Sequence, residues 1–294
     1  MNIIFSFFLM PTNLFIFTVN ILNWAKEKNL QQVDQLITSI SVCNLVEEML
    51  KLIKFLNIFL SSLMVTKFQV TLWCVVISCN LWFSTFLCVY FCLKIVNVKQ
   101  ALYMCLQRNF YKILPWIFLS SIMGSVLVNV PFFLKCSETS SNSTVDSSDI
   151  TTERNFGLIH FCFYHALVFM IFLLIAMLIF STSAFAVITS LFKHIKQVQQ
   201  NLGGFRGPNM KAHVQASRTV TVFLFTYIFM FSILTVRLIS PAATWSYALY
   251  PFFTISKAVS CCSLIKGNRN LDKALSNIFN GFHCAKSNNM EESL

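Results

Sequence analysis

Long apolar stretches alternate with short polar connections along almost the whole chain. Apolar runs occupy about Ile3 to Leu22, Leu36 to Leu60, Val70 to Val96, Ile113 to Leu134, Phe161 to Phe192, Val220 to Ile239 and Tyr247 to Ile265. A helix crosses a bilayer with roughly 20 apolar residues, so the pattern predicts seven spans. Six are plain on hydropathy. The second carries Glu47, Glu48, Lys51 and Lys54, and a charge near a helix centre costs about 3 kcal/mol on insertion scales, so composition alone argues against it. The first run starts beside Met1 with no preceding Lys or Arg and no clear small-x-small cleavage site. It reads as a retained anchor rather than a signal peptide. Beyond Ile265, the residues Leu271, Leu275, Ile278, Phe279 and Phe282 recur at helical spacing. They predict a short amphipathic helix on the inner membrane face, with Cys284 as a palmitoylation site just past it; a frayed tail is the alternative. The predicted organisation is an all-α bundle over residues 1–265 and a cytoplasmic tail over residues 266–294.

The polar connections orient this bundle. Lys26 and Lys28 follow the first run directly, which places the N-terminus outside by the positive-inside rule. The stretch from Lys94 to Lys112 holds Lys94, Lys99, Arg108 and Lys112 without an acid, and that from Lys193 to Arg218 holds five basic residues without an acid. The loop from Lys135 to His160 instead carries Glu138, Asp146, Asp149 and Glu153 against Lys135 and Arg154. Removing the second span would invert every later loop, so this asymmetry argues for keeping it. Asn142-Ser143-Thr144 lies in the acidic loop and forms an N-glycosylation acceptor in a run too polar to pack a core.

Composition narrows the function classes. The chain is 56% hydrophobic and 11% charged over 294 residues, against about 25% charged for soluble domains. The net charge of +11 falls in short blocks between apolar runs rather than on a basic module, so nucleic acid is not an expected partner. Cys261 and Cys262 are adjacent and not C-x-x-C, and most cysteines sit in apolar runs; no metal or cofactor is expected. His160 and His165 make no H-E-x-x-H, and no Ser, His and acid set stands out, so no enzyme activity is expected.

Three stretches carry a family resemblance. The first is Asn80-Leu-Trp82-Phe-Ser-Thr85 running on to Leu93-Lys94-Ile95-Val-Asn97. The second is Ser190-Leu191-Phe-Lys193-His194-Ile-Lys196, a Gly-rich turn to Pro208, then Lys211-Ala212-His213 and Ala216-Ser-Arg-Thr219-Val220. The third is Leu264-Ile265-Lys-Gly267-Asn268-Arg-Asn-Leu271. Together they resemble, in order and spacing, the taste receptor type 2 family of bitter receptors. Where that family usually has Arg in its second helix this chain has Asn44, where it has Pro-Ser-x-His-Ser in the seventh the chain reads Lys257-Ala-Val-Ser260-Cys261, and an aromatic of the sixth is replaced by Met230. The resemblance implies a seven-transmembrane, G-protein-coupled chemosensory receptor in the plasma membrane, answering small and bitter agonists through a heterotrimeric G protein of the gustducin or inhibitory type.

On that reading Trp82, Phe86 and Tyr250 are candidate pocket walls, aromatics on the outer part of the bundle that offer flat, polarizable surface. Glu47 and Lys257 are candidate polar contacts. At about 1.5 Å per residue, Glu47 stands about 18 Å above Gln35 and Lys257 about 14 Å above Lys266, depths compatible with a pair formed by Lys257 with Glu47 or Glu48. A purely structural ion pair is the competing reading. Lys94, Lys193, His194, Lys196 and His213 border the face a G protein would use; basic residues there also fix topology and meet anionic membrane lipids. The alternatives are a small transporter or channel, against which no repeated halves are found, and a vomeronasal type 1 pheromone receptor.

Overall fold

The computed structural model describes residues 2–28, 31–57, 63–96, 101–141, 148–202, 221–233, 235–236, 250–278 and 280. Its elements are helices: α1 (Asn2–Glu27), α2 (Gln32–Asn57), α3 (Leu63–Ile95), α4 (Ala101–Ser141), α5 (Ser148–Leu202), α6 (Thr221–Ile233), α7 (Tyr250–Gly267) and α8 (269–278). Helix is the expected outcome for such runs, because in lipid the backbone must satisfy its own donors and acceptors. Pro11, Pro115 and Pro131 lie inside helices, as membrane helices tolerate. Hydroxyls of Thr12, Ser78, Thr182 and Thr189 bond back to carbonyls four residues earlier rather than facing lipid unpaired. The α1–α2 turn is closed by Lys28, at φ 50°, whose N–H donates to the Trp24 carbonyl at 2.8 Å.

Four helices are long and apolar enough to cross a membrane by length and composition: Phe8–Glu27, Phe68–Ile95, Tyr103–Pro131 and Tyr164–Lys193. In the other three predicted spans, α2 carries Asp34, Glu47, Glu48, Lys51 and Lys54, α7 carries Lys257 and Lys266, and the described part of α6 is short. Of the four, α3 is 61% buried against 22–28% for the rest, so it is the axis of the bundle. Large apolar side chains such as Phe8, Leu127, Phe185 and Phe225 point outward instead, the surface a lipid environment permits.

Two apolar clusters meet on α3. One gathers Ile16 of α1, Leu36 and Ile40 of α2, Phe83 and Leu87 of α3, Leu114 of α4, Leu264 of α7 and Leu271 of α8. The other joins Leu81 and Cys88 of α3 to Phe169 and Phe180 of α5, Tyr227 of α6 and Phe253 of α7. Trp73, Phe91 and Phe223 border both. At Gly124 of α4 an added Cβ would stand 3.3 Å from the Phe172 ring, so glycine lets that ring seat against the helix. Asn268 joins α7 to α8: its Oδ1 accepts the backbone N–H of Asn270 at 2.9 Å, an N-cap, while its Nδ2 donates to Asp34 Oδ1 at 2.6 Å. The third resemblance stretch is thus a helix cap tied to the start of α2.

Candidate functional site

The polar residues inside α1, α2, α3 and α7 meet in one place. Glu47 is fully buried, and the Lys257 ammonium donates to its Oε2. The other carboxylate oxygen, Oε1, has the Lys51 ammonium at 3.1 Å as an ion-pair partner, and Lys51 also donates to Glu48 at 2.5 Å. Two carboxylates and two ammonium groups therefore balance within the bundle, which is what burial of charge demands. Of the two partners left open for Lys257, the structure places Glu47, with Glu48 turned to Lys51.

Amides surround this charge cluster. Asn44 Oδ1 accepts Asn80 Nδ2 at 2.6 Å and Lys257 Nζ at 3.4 Å, while Asn44 Nδ2 donates to Asn13 Oδ1 at 3.1 Å. The Cys261 thiol donates to the same Asn13 oxygen at 3.4 Å, and the Lys257 ammonium lies 5.2 Å from the Phe253 ring centre. Four helices are clasped by side-chain bonds that do not depend on shape alone. From the sequence alone Lys51 and Asn80 are named but neither has a place in the site, and Asn13 is not named. The signal was present, since an amide in an apolar run needs a partner, and Lys51 is at i+4 from Glu47.

A void of about 30 Å³ abuts the clasp, lined by Asn80, Ser84, Thr226, Tyr227, Lys257 and Ser260 among others. Ser260 Oγ bonds Thr226 Oγ1 at 3.1 Å. The Tyr227 hydroxyl donates to the Leu81 carbonyl at 2.9 Å, and its ring stacks on Phe180 at 4.0 Å. Ser84, Phe223 and Leu264 line this void and also a cavity of about 420 Å³ at the Lys94 end of the bundle. That second cavity is walled by Asp34, Phe91, Lys94, Asn268 and Arg269 among others. Asp34 precedes the apolar part of α2; burial pushes its carboxyl above the ordinary range, partly offset by the Asn268 hydrogen bond, with Glu27 adding to the rise.

Trp82 stands near the middle of the apolar part of α3. Its ring packs on Phe86 at 5.6 Å and on Phe172 of α5 at 5.3 Å, and its indole N–H is buried without a hydrogen-bond partner. Trp82 and Phe86 are therefore brought together, as their spacing suggested. Tyr250 opens α7, but its side chain is outside the described residues, as is that of His194. Lys94 is exposed with its ammonium 5.7 Å from the Tyr90 ring centre, and Lys193 and Lys196 are exposed on α5. His213, Asn142 and Cys284 lie outside the described residues.

A helical bundle with an apolar exterior, a charged clasp at its centre and an open cavity at one end has the build of a seven-helix receptor. The sequence matches the family described as Taste receptor protein (TAS2R) over residues 1–282, and the chain belongs to that family. It is a multi-pass membrane protein and a G-protein-coupled chemosensory receptor of the kind that answers bitter compounds. Relatives include "Taste receptor type 2 member 114" of Rattus norvegicus, 24% identical over 93% of this chain and 90% of the relative, and "Taste receptor type 2 member 7" of Papio hamadryas, 25% identical over 74% and 70%. "Taste receptor type 2 member 40" of Gallus gallus is 30% identical over 51% of this chain and 49% of the relative.

Proposed function

We propose that agonists enter the outer half of the bundle and reach its middle, against Trp82, Phe86 and Tyr250 with Glu47 and Lys257 as the polar contacts, and that binding changes the cavity at the Lys94 end. In this reading the N-terminus is extracellular, the C-terminus cytoplasmic, Asn142 carries a glycan and Cys284 a palmitoyl group, and the plasma membrane is the working location. Residues 1–265 form the bundle and residues 266–294 the tail. The transducer is a gustducin-type or inhibitory G protein meeting Lys94, Lys193, His194, Lys196 and His213.

One observation carries the coupling: Ser84, Phe223 and Leu264 wall both the void beside Lys257 and the cavity beside Lys94. A ligand shifts a receptor only through contacts that differ between two arrangements. Moving the clasp would move residues shared with the transducer-facing cavity, so ligand occupancy and transducer docking act on one set of side chains. The test is agonist-dependent GTP exchange in membranes containing the receptor and a gustducin-type G protein. Lys94→Gln or His213→Ala should lower the exchange rate at saturating agonist with surface expression kept. Solute flux without GTP exchange would overturn the reading in favour of a transporter.

A further inference from the structure

We infer that the exposed face of α4 between Arg108 and Leu119 is a binding site for an anionic glycerophospholipid. On α4 the residues Phe110 and Leu114 are buried against α3, while Arg108, Tyr111, Lys112, Trp116 and Leu119 are exposed. These positions are separated by three, four, eight and eleven residues from Arg108, so they form one stripe along the helix. Along the stripe cations and aromatics alternate from Arg108 to Trp116, and apolar residues follow from Leu119 through Met123 and Leu127. Tyr111 is 57% and Trp116 70% exposed, among the most exposed aromatics described.

Charge complementarity selects the occupant. No acid occurs between Ala101 and Leu134, and the buried acids Glu47 and Glu48 are paired with Lys51 and Lys257. Among the described residues neither Arg108 nor Lys112 has a carboxylate partner. The Lys112 ammonium instead stands 5.7 Å from the Tyr111 ring centre. An anion that the described residues do not supply to this face is one that the membrane does. Depth agrees with the same source. Lys112 and Trp116 are four residues apart, roughly 6 Å along the axis, close to the thickness of one interfacial layer. With the ammonium at the phosphate, the Trp116 N–H reaches the ester carbonyls and Leu119, Met123 and Leu127 lie along the acyl chains. The opposite side of this turn is not idle: Phe110 packs on Tyr90 at 5.5 Å, the same ring that lies beneath Lys94. Phe110 and Tyr90 thus connect this turn of α4 to Lys94, which lines the 420 Å³ cavity.

The inference is independent of where agonists bind; it uses the orientation proposed above only to choose the leaflet. The full-length receptor is reconstituted in nanodiscs carrying photoactivatable phosphatidylserine in both leaflets, so an inverted topology does not hide the result. Adducts are mapped by peptide mass spectrometry. They should concentrate on residues 104–123 and be competed by phosphatidylserine but not by phosphatidylcholine or by glycerophosphoserine without acyl chains. Each interfacial cation contributes about fivefold to lipid affinity, so Arg108→Gln with Lys112→Gln should weaken competition about thirtyfold. Trp116→Leu should weaken it less while keeping the preference for anionic lipid. Adducts that spread over all helices, that phosphatidylcholine competes equally, or that survive the double substitution would overturn the proposal. Competition by glycerophosphoserine equal to that by the intact lipid would also overturn it, by showing a free-anion site.

Discussion

Glu47→Gln and Lys257→Met delete the two ends of one buried ion pair, yet the structure makes their consequences unequal. Lys257 has Glu47 as its carboxylate partner and, beyond it, the neutral Asn44 oxygen at 3.4 Å and the Phe253 ring at 5.2 Å. Glu47 has a second cation, Lys51, at 3.1 Å. Removing the carboxylate strands a buried ammonium, and stranding one member of a buried pair costs about 3–5 kcal/mol. Removing the ammonium leaves a carboxylate still paired with Lys51, a loss nearer that of one charged hydrogen bond, about 1.5–3 kcal/mol. Glu47→Gln should therefore lower the melting temperature of the solubilised receptor by on the order of 10 °C, and Lys257→Met by clearly less. The double variant should recover part of the Glu47→Gln loss, with a coupling of at least about 1.5 kcal/mol in the cycle. Surface expression should follow the same order. Additive losses, or Lys257→Met proving the worse of the two, would refute the argument that Lys51 holds Glu47 in reserve.

Two further outcomes separate ligand contact from topology. Trp82→Ala removes ring surface against Phe86 and Phe172 without stranding a charge, so calcium release in cells with a promiscuous G protein should show agonist potency falling about tenfold or more while surface expression changes little; unchanged potency for every agonist would take Trp82 out of the site. Asn142→Gln should abolish the glycosidase-induced mobility shift of the expressed protein, and an unshifted wild-type protein with a lumenal C-terminal tag would reverse the proposed orientation.

How much of this was legible in the sequence depends on which contacts are local. The spans of α1, α3, α4 and α5 follow from apolar length. The second span does not, because hydropathy treats Glu47 and Lys51 as if they faced lipid, whereas Glu47 is fully buried and both are paired. It was recoverable only from the charges of the later loops. The depth of Glu47 against Lys257 could be counted from the helical rise, but the choice between Glu47 and Glu48 depends on how α2 is rotated about its axis. Packing sets that rotation, and a depth count carries no information on it. Trp82 and Phe86 share a helix and were readable as a pair; Phe172 reaches them from α5, and no spacing along the chain reports a contact between residues 82 and 172. The cavity at the Lys94 end was invisible for the same reason, being assembled from α2, α3, α5, α6 and α7 with the turn into α8.

The departures from the family pattern become coherent once the clasp is seen as a balance of charge rather than as a set of positions. The family resemblance places Arg on the second helix where this chain has Asn44, and Pro at the seventh-helix position of Lys257. Asn44 alone would leave Glu47 with only the cation on its own helix, Lys51, which Glu48 already shares. Lys257 brings a positive charge from α7 into the same centre, with its ammonium 3.4 Å from the Asn44 oxygen. In this chain the cation that reaches the clasp from another helix comes from α7. Asn44, freed of charge, accepts from Asn80 and donates to Asn13, so it now connects α1 to α3 through α2. A neutral amide suits the second helix of this chain because the seventh carries the ammonium, and a lysine is tolerated on the seventh because Glu47 and Asn44 face it.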